Sequence, residues 1–321
     1  MKIIVGRGRA LRFWHAALAG WAFAGCALAS WALAGCALAG AANAATALQV
    51  VDDRGNTVEL PGPARRIVTL APHLTELLFA AGAGDRIVAT VAYSNFPEAA
   101  RKLPRIGDAH ALDLERLVGL KPDLVIAWAG GSSQPQLEVL KALGIAVYQD
   151  APQDLDHIAR SIERFGQLAG TGAFAGPAAA RLRSRLVELR QRHAGRSEVT
   201  VFHQVWDRPL MTVGGRHLIS QVLGLCGGRN VFSGLAAAAP HVAFEAVLEA
   251  DPEVMVSAGE GTPREAGLGA WLAWPRLRAV ARGNLVVVAP DLISQPVPRL
   301  LDGAEQVCAA LEAARQRRPP T

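Results

Sequence analysis

A helical run in the middle of the chain, Gln153 to Gly195, constrains the fold more than any other stretch. From Asp154 the apolar residues Leu155, Ile158, Ile162, Phe165 and Leu168 recur at three- and four-residue steps, one face of an amphipathic helix. Gly170, Gly172 and Gly176 interrupt it, and Pro177 restarts a second helix at a first-turn position, where a missing N–H costs nothing. Leu182, Leu186 and Leu189 form the apolar stripe of this second piece. Arg181, Arg183, Arg185, Glu188, Arg190 and Arg192 fill the rest, and Gly195 supplies a C-terminal cap. From Pro177 to Ala194 such a helix is about 27 Å long, roughly the width of a small domain. With strand/helix alternation on both sides, the run predicts a rigid bridge between two lobes. The ordinary alternative is one more packing helix in a single domain.

The alternation is legible residue by residue. Leu48–Val51 and Thr57–Leu60 flank a turn containing Gly55, the pattern of a hairpin. Arg66–Leu70, Arg86–Val91, Leu124–Trp128 and Ile145–Tyr148 read as strands, with helices at Leu74–Ala81, Leu112–Leu120 and Pro135–Leu143. The C-terminal half repeats the theme, with strands at Val199–Gln204, Leu210–Val213, Val254–Ser257 and Leu285–Ala289. Its helices are expected at Leu218–Leu225, Phe244–Glu249 and Leu300–Ala314, with a turn at Cys226–Asn230. The pattern predicts an α/β fold of parallel sheets covered by helices. Ligands bind such sheets at the carboxyl ends of strands, which places the loops after Leu70, Val91, Trp128, Gln204 and Ala289 around one cleft.

The first 44 residues differ in kind. Lys2, Arg7, Arg9 and Arg12 make a basic start, and no further charged residue appears before Asp52. This is a secretory signal pattern, and Ala42-Asn43-Ala44 fits the small-x-small cleavage rule. Leu33-Ala34-Gly35-Cys36 offers a second outcome, a bacterial lipobox that would make Cys36 a lipid-modified terminus; an uncleaved anchor is a third. The leader holds four of the 33 Lys and Arg and none of the 28 Asp and Glu, so the remainder is close to neutral. Nucleic acid binding, which needs a clustered basic face, loses its bulk support. With the leader removed, Cys226 and Cys308 remain, and two cysteines in an exported chain suggest one disulfide. The loop of about 80 residues is worth roughly 4 kcal/mol in chain entropy. Two free buried thiols are the alternative.

Motifs of common enzymes are missing: there is no G-x-S-x-G elbow, no phosphate loop and no H-E-x-x-H. Gly82-Ala83-Gly84 ends a helix where a dinucleotide fingerprint would start one. His73, His110, His203, His217 and His241 with Asp291 could supply a zinc site drawn from both lobes, but no pair has tight ligand spacing. Aromatic residues favour an organic ligand. Tyr93, Trp128 and Trp206 each close a strand or begin the loop after it, where a flat face can cover a ring system.

The stretches RIVTLAPHLTELLFAAG, YSNFP, LDLERLVGLKPDLVIAW and LCGGRN carry a resemblance. The chain resembles the periplasmic binding proteins of the iron-siderophore, haem and vitamin B12 ABC importers, and looks most like the cobalamin-binding members, over nearly all of Arg66 to Leu311. The resemblance implies two lobes with mostly parallel sheets joined by a single long helix, the class III helical-backbone architecture. Residues 1–44 would be the signal peptide, 48–152 the first lobe, 153–195 the helical segment and 196–321 the second lobe. It implies a periplasmic monomer without enzymatic activity, which carries a corrinoid to an inner-membrane ABC permease; haem or a ferric siderophore is the alternative cargo, and zinc or manganese a weaker one. No resident cofactor is implied, and no nucleic acid. Tyr93, Trp128, Trp206 and the loop Asp291-Leu292-Ile293-Ser294-Gln295 match cleft positions that contact the corrinoid. Glu115 and Glu245 match surface carboxylates that dock on permease arginines, and Cys226 and Cys308 match the family's paired cysteines. Cobalamin binders can present tryptophans where this chain has Ala109-His110 and Ala236–His241, and an arginine where it has Gln295. That leaves room for His110 or His241 as a polar contact or axial ligand.

Overall fold

A computed structural model describes residues 47–108 and 111–320. The leader, with its cleavage and lipobox motifs, and His110 lie outside the described residues. The described residues form one compact unit. It opens on the expected hairpin, β1 (Leu48–Val51) and β2 (Thr57–Leu60), paired antiparallel. Asp52 holds its turn by accepting from the Arg54 and Asn56 amides at 2.9 and 2.8 Å. There follow β3 (Ile67–Thr69), α1 (Pro72–Ala80), β4 (Ile87–Ala89), α2 (Leu114–Gly119), β5 (Leu124–Trp128), α3 (Gln134–Ala142) and β6 (Ala146–Asp150). The strands form one parallel sheet in the order β4-β3-β5-β6.

Alternation across the pleat splits the side chains of this sheet between two cores. Ile67, Leu124 and Ile126 enter one apolar cluster, while Val68, Val125 and Ala127 enter the other with Leu117, Leu137 and Leu140. Both faces are covered, which is why β5 reads as an unbroken apolar run.

Two helices then cross the molecule, α4 (Leu155–Ala169) and α5 (Gly172–His193), packed against each other. Beyond them lie β7 (Val199–Gln204), β8 (Trp206–Asp207), β9 (Leu210–Met211), α6 (Leu218–Leu225), β10 (Gly228–Asn230), α7 (Phe244–Ala250), β11 (Val254–Ala258), α8 (Arg278–Ala281), β12 (Leu285–Val288), α9 (Pro290–Ile293) and α10 (Leu300–Gln316). The second parallel sheet has the order β10-β7-β11-β12.

Every residue of the α4 and α5 stripes is buried as expected. Together they form the middle of one continuous apolar cluster that runs from Ile67 and Leu74 through Phe165, Leu182 and Leu189 to Val201 and Leu311. With 22 residues, α5 is about 33 Å long. Near its start Thr171 donates to the Ala81 carbonyl at 2.7 Å; further along Arg185 pairs with Asp302 of α10 at 2.8 Å. The disulfide is present, joining Cys226 at the end of α6 to Cys308 of α10, and both cysteines are buried.

Three local expectations are corrected. The second bridging helix starts at Gly172, so Pro177 is interior and leaves the Ala173 carbonyl without its helical donor. Packing extends the helix past the glycines: Phe174 lies on Gly82, and Ala175 is buried against Gly166. Gly228–Asn230 is an edge strand paired to β7 and not a turn, and it is held there by Asn230 Nδ2, which donates to the Val213 carbonyl at 2.7 Å and to Ser220 Oγ at 2.9 Å. Of Leu210–Val213 only Leu210–Met211 is strand, and it pairs antiparallel with β8 outside the parallel sheet.

Candidate functional site

The carboxyl ends of β3, β4 and β5 present the residues that matter. Trp128 ends β5 after four fully buried residues, and its side chain emerges 39% exposed. The indole is fixed on two sides. His73, in the first turn of α1, meets it at right angles with ring centroids 5.6 Å apart. Gly130 and Gly131 pass beside it, and a Cβ at Gly131 would come within 2.2 Å of the ring. Ser132 Oγ accepts from the Trp128 amide at 3.0 Å and closes the loop. His73 is buried, which pushes its imidazole down to about 4 against the pull of Asp150; it is a neutral support, not a charge.

Beneath the Tyr93 loop lies a cluster of buried hydroxyls. Thr69, Thr75 and Thr90 contact one another at 2.7 to 2.9 Å, and Thr90 donates to Ser94 at 2.8 Å. Arg105 donates to the Ser94 carbonyl at 2.8 Å. Above these anchors Tyr93 is 80% exposed with φ of 66°, a left-handed conformation that costs a bulky residue about 1–3 kcal/mol. Such strain persists where the surroundings impose it, and here they turn a phenol ring out to solvent.

The second half contributes Arg299, between α9 and α10. It forks onto Glu76 of α1, lies over the Phe96 ring at 3.8 Å, and approaches Asp291 at 3.8 Å. Burial lifts the Glu76 carboxyl, and the hydrogen bonds from Arg299 oppose that rise.

The structure thus brings the Tyr93 loop, Trp128 and Asp291 into one neighbourhood linked by His73, Glu76 and Arg299. Trp206 is 60% exposed in its own hairpin, with the indole N–H donated to the Arg208 carbonyl at 3.1 Å. The expected loop Asp291–Gln295 begins as helix: Pro290–Ile293 forms a short turn that packs on α10. Within this turn the Ile293 side chain is buried in the main apolar cluster. Leu292 is half-buried with its carbonyl against Gly303, Asp291 and Ser294 are exposed, and Gln295 is half-buried. Glu115 and Glu245 each occupy the first turn of a short helix, α2 and α7, exposed and without a hydrogen bond or ion pair to another described residue. Sequence reasoning missed Glu76 and Arg299. A lone carboxylate inside the apolar run LTELLFAAG needs a buried partner, which was the available signal.

Among the described residues no zinc site assembles from the expected histidines. One group of three close metal-type donors exists there, Asp53, Asp150 and His157, and it includes none of them. Arg164 occupies Asp53 on its other side, and Ser161 donates to Asp150 at 2.6 Å. Burial pushes the His157 imidazole down, but hydrogen bonds to Asp150 and Asp53 outweigh it and raise it to about 9. The group is an ion-paired lock of hairpin, β6 and α4. Burial pushes the His203 imidazole down to about 3, and His217 caps α6. A cavity of about 420 Å³ lies apart, lined by Leu155, Arg190, His193 and Gln221 among others, and none of the aromatic candidates reaches it.

The profile of the family described as periplasmic binding protein matches residues 67–292, from β3 to α9. The chain belongs to that family. It is 36% identical to a vitamin B12-binding protein of Vibrio cholerae over 258 residues, 80% of this chain and 92% of that one. It is 36% identical to one of Photorhabdus laumondii over 246 residues, 77% and 87% of the two chains. Among solved structures it is similar to the periplasmic vitamin B12 binding protein BtuF of Vibrio cholerae, with TM-score 0.73 and 35% identity over 79% of this chain and 99% of that one. The haem-binding protein RhuT from Roseiflexus shares the fold at TM-score 0.68 and 23% identity, covering 78% and 99%. For a periplasmic binding protein, two parallel sheets flanking a helical crossing are the architecture the sequence led us to expect.

Proposed function

We propose that this periplasmic binding protein captures a corrinoid, in the first place cobalamin, between residues 48–152 and 196–321 and delivers it to an inner-membrane ABC permease. Its role is binding without catalysis, and the corrinoid is cargo rather than a resident cofactor. The leader of residues 1–44 directs export, with a lipid anchor at Cys36 as its alternative outcome. The monomer is the working unit. The observation that carries the reading is the pair of constrained aromatic residues, Tyr93 and Trp128, turned outward at the strand ends. The names of relatives at 34 to 36% identity support the choice of ligand.

Trp128→Ala and Tyr93→Ala are each expected to weaken cobalamin binding about tenfold or more, because each removes a flat apolar face. His73→Ala should weaken it less, through a loosened Trp128. Titration of the three variants checks the order; equal affinity for Trp128→Ala and wild type would remove the aromatic face from the account. Glu115→Ala combined with Glu245→Ala is expected to leave ligand affinity unchanged and to cut uptake at low substrate by about tenfold, since exposed charges steer and register a partner. Unchanged uptake by the double variant would end the docking assignment.

A further inference from the structure

A single side chain ties the two halves together beside the proposed cleft. Arg299 Nε donates to both oxygens of Glu76 at 3.0 and 3.2 Å, and Nη2 donates to Oε2 at 2.7 Å. The two residues are 223 positions apart, on opposite sides of the helical crossing. The Glu76 side chain is 5% exposed and that of Arg299 19%. The guanidinium carbon also sits 3.8 Å from the centre of the Phe96 ring, in the loop that presents Tyr93. The remaining nitrogen, Nη1, faces Asp291 at 3.8 Å.

Most ion pairs on protein surfaces contribute little, because water screens them and two flexible side chains must be ordered. This one is desolvated, forked and stacked on an aromatic face, so loss of either partner strands the other charge. It also touches three elements at once: α1, the Tyr93 loop and, through Asp291, α9. We infer that Arg299 is a positioning residue for the ligand cleft: by reaching from the second half to Glu76 and Phe96 of the first it fixes the spacing of the halves and seats the Tyr93 loop before ligand arrives. Its effect on binding presupposes the cleft proposed above, whereas the spacing is a property of the free protein.

Spin labels at Val139→Cys on α3 and Glu249→Cys on α7, both exposed, report that spacing by pulsed electron spin resonance in the ligand-free protein. The labelled parent is expected to give one narrow distance distribution. Glu76→Gln, which keeps shape and removes charge, should broaden it and shift it to longer distance, and Arg299→Lys should do so in part because the charge remains but the fork is lost. Cobalamin should dissociate from Glu76→Gln about tenfold faster, with association little changed. Circular dichroism establishes that each variant is folded. A folded Glu76→Gln with lowered melting temperature but the parental distance distribution overturns the proposal, because it reduces the pair to local packing. Cobalamin that fails to bind the parent overturns the ligand reading, and the distance measurement still decides the tie.

Discussion

Replacing Cys226 and Cys308 by alanine is expected to lower the unfolding free energy by about 4 kcal/mol, the entropy regained by an unfolded chain freed of a loop of roughly 80 residues. For a chain of this size that corresponds to a fall in melting temperature of roughly 10 °C. Both cysteines are buried against the main core, where α6 meets α10. The loss therefore falls on the second half and leaves the Trp128 neighbourhood in place. Differential scanning calorimetry of the double alanine variant checks it; a melting temperature equal to wild type would mean that the bridge adds nothing to a core already sufficient.

The second large effect is a loss of stability in mild alkali. In the fold His157 holds its proton to about 9, because Asp53 at 3.0 Å and Asp150 at 3.4 Å outweigh the cost of burial. The unfolded imidazole titrates near its ordinary value, about 6.5. A folded value raised above the unfolded one contributes stability that is fully present below the unfolded pKa and is lost as pH rises through the folded one. Each tenfold gain in proton affinity on folding is worth about 1.4 kcal/mol, so the contribution is about 3 kcal/mol below the unfolded value and decays between about pH 7 and 10. His157→Gln should be less stable than wild type by about that amount at pH 6, with the gap closing toward pH 10. Denaturant unfolding of both proteins across this range is the check, and a gap independent of pH would assign the effect to packing instead of charge.

The parts of the fold that were legible in the sequence are those in which a local period decides the outcome. The α4 stripe Leu155, Ile158, Ile162, Phe165 and Leu168 is buried residue for residue, because an amphipathic helix of 15 residues has only one face to offer a core. β5 and β7 have the expected bounds, and the aromatic residue after the buried run of β5 emerges at the strand end. Long-range contact is what period does not encode. Pro177 reads as a start, and Phe174 on Gly82 makes it an interior residue. Two glycines in CGGRN suggest a turn through Asn230; Gly227 does turn, with φ of 71°, while the Asn230 side chain and the edge of β7 draw Gly228 into the sheet. Ile293 sits in a helical turn too short to show a period, so its inward direction was invisible. Glu76 and Arg299 meet across 223 positions, and only the anomaly of a carboxylate in an apolar helix hinted at a partner.

The central claim is the ligand, and calorimetric titration of the exported protein with cyanocobalamin, then hemin, then zinc tests it most directly. The expected result is saturable one-to-one binding of cobalamin with a dissociation constant near or below about 1 μM, and no comparable heat with zinc. A silent cobalamin titration with saturable hemin binding would contradict it, leaving the fold and family intact and moving the cargo to haem.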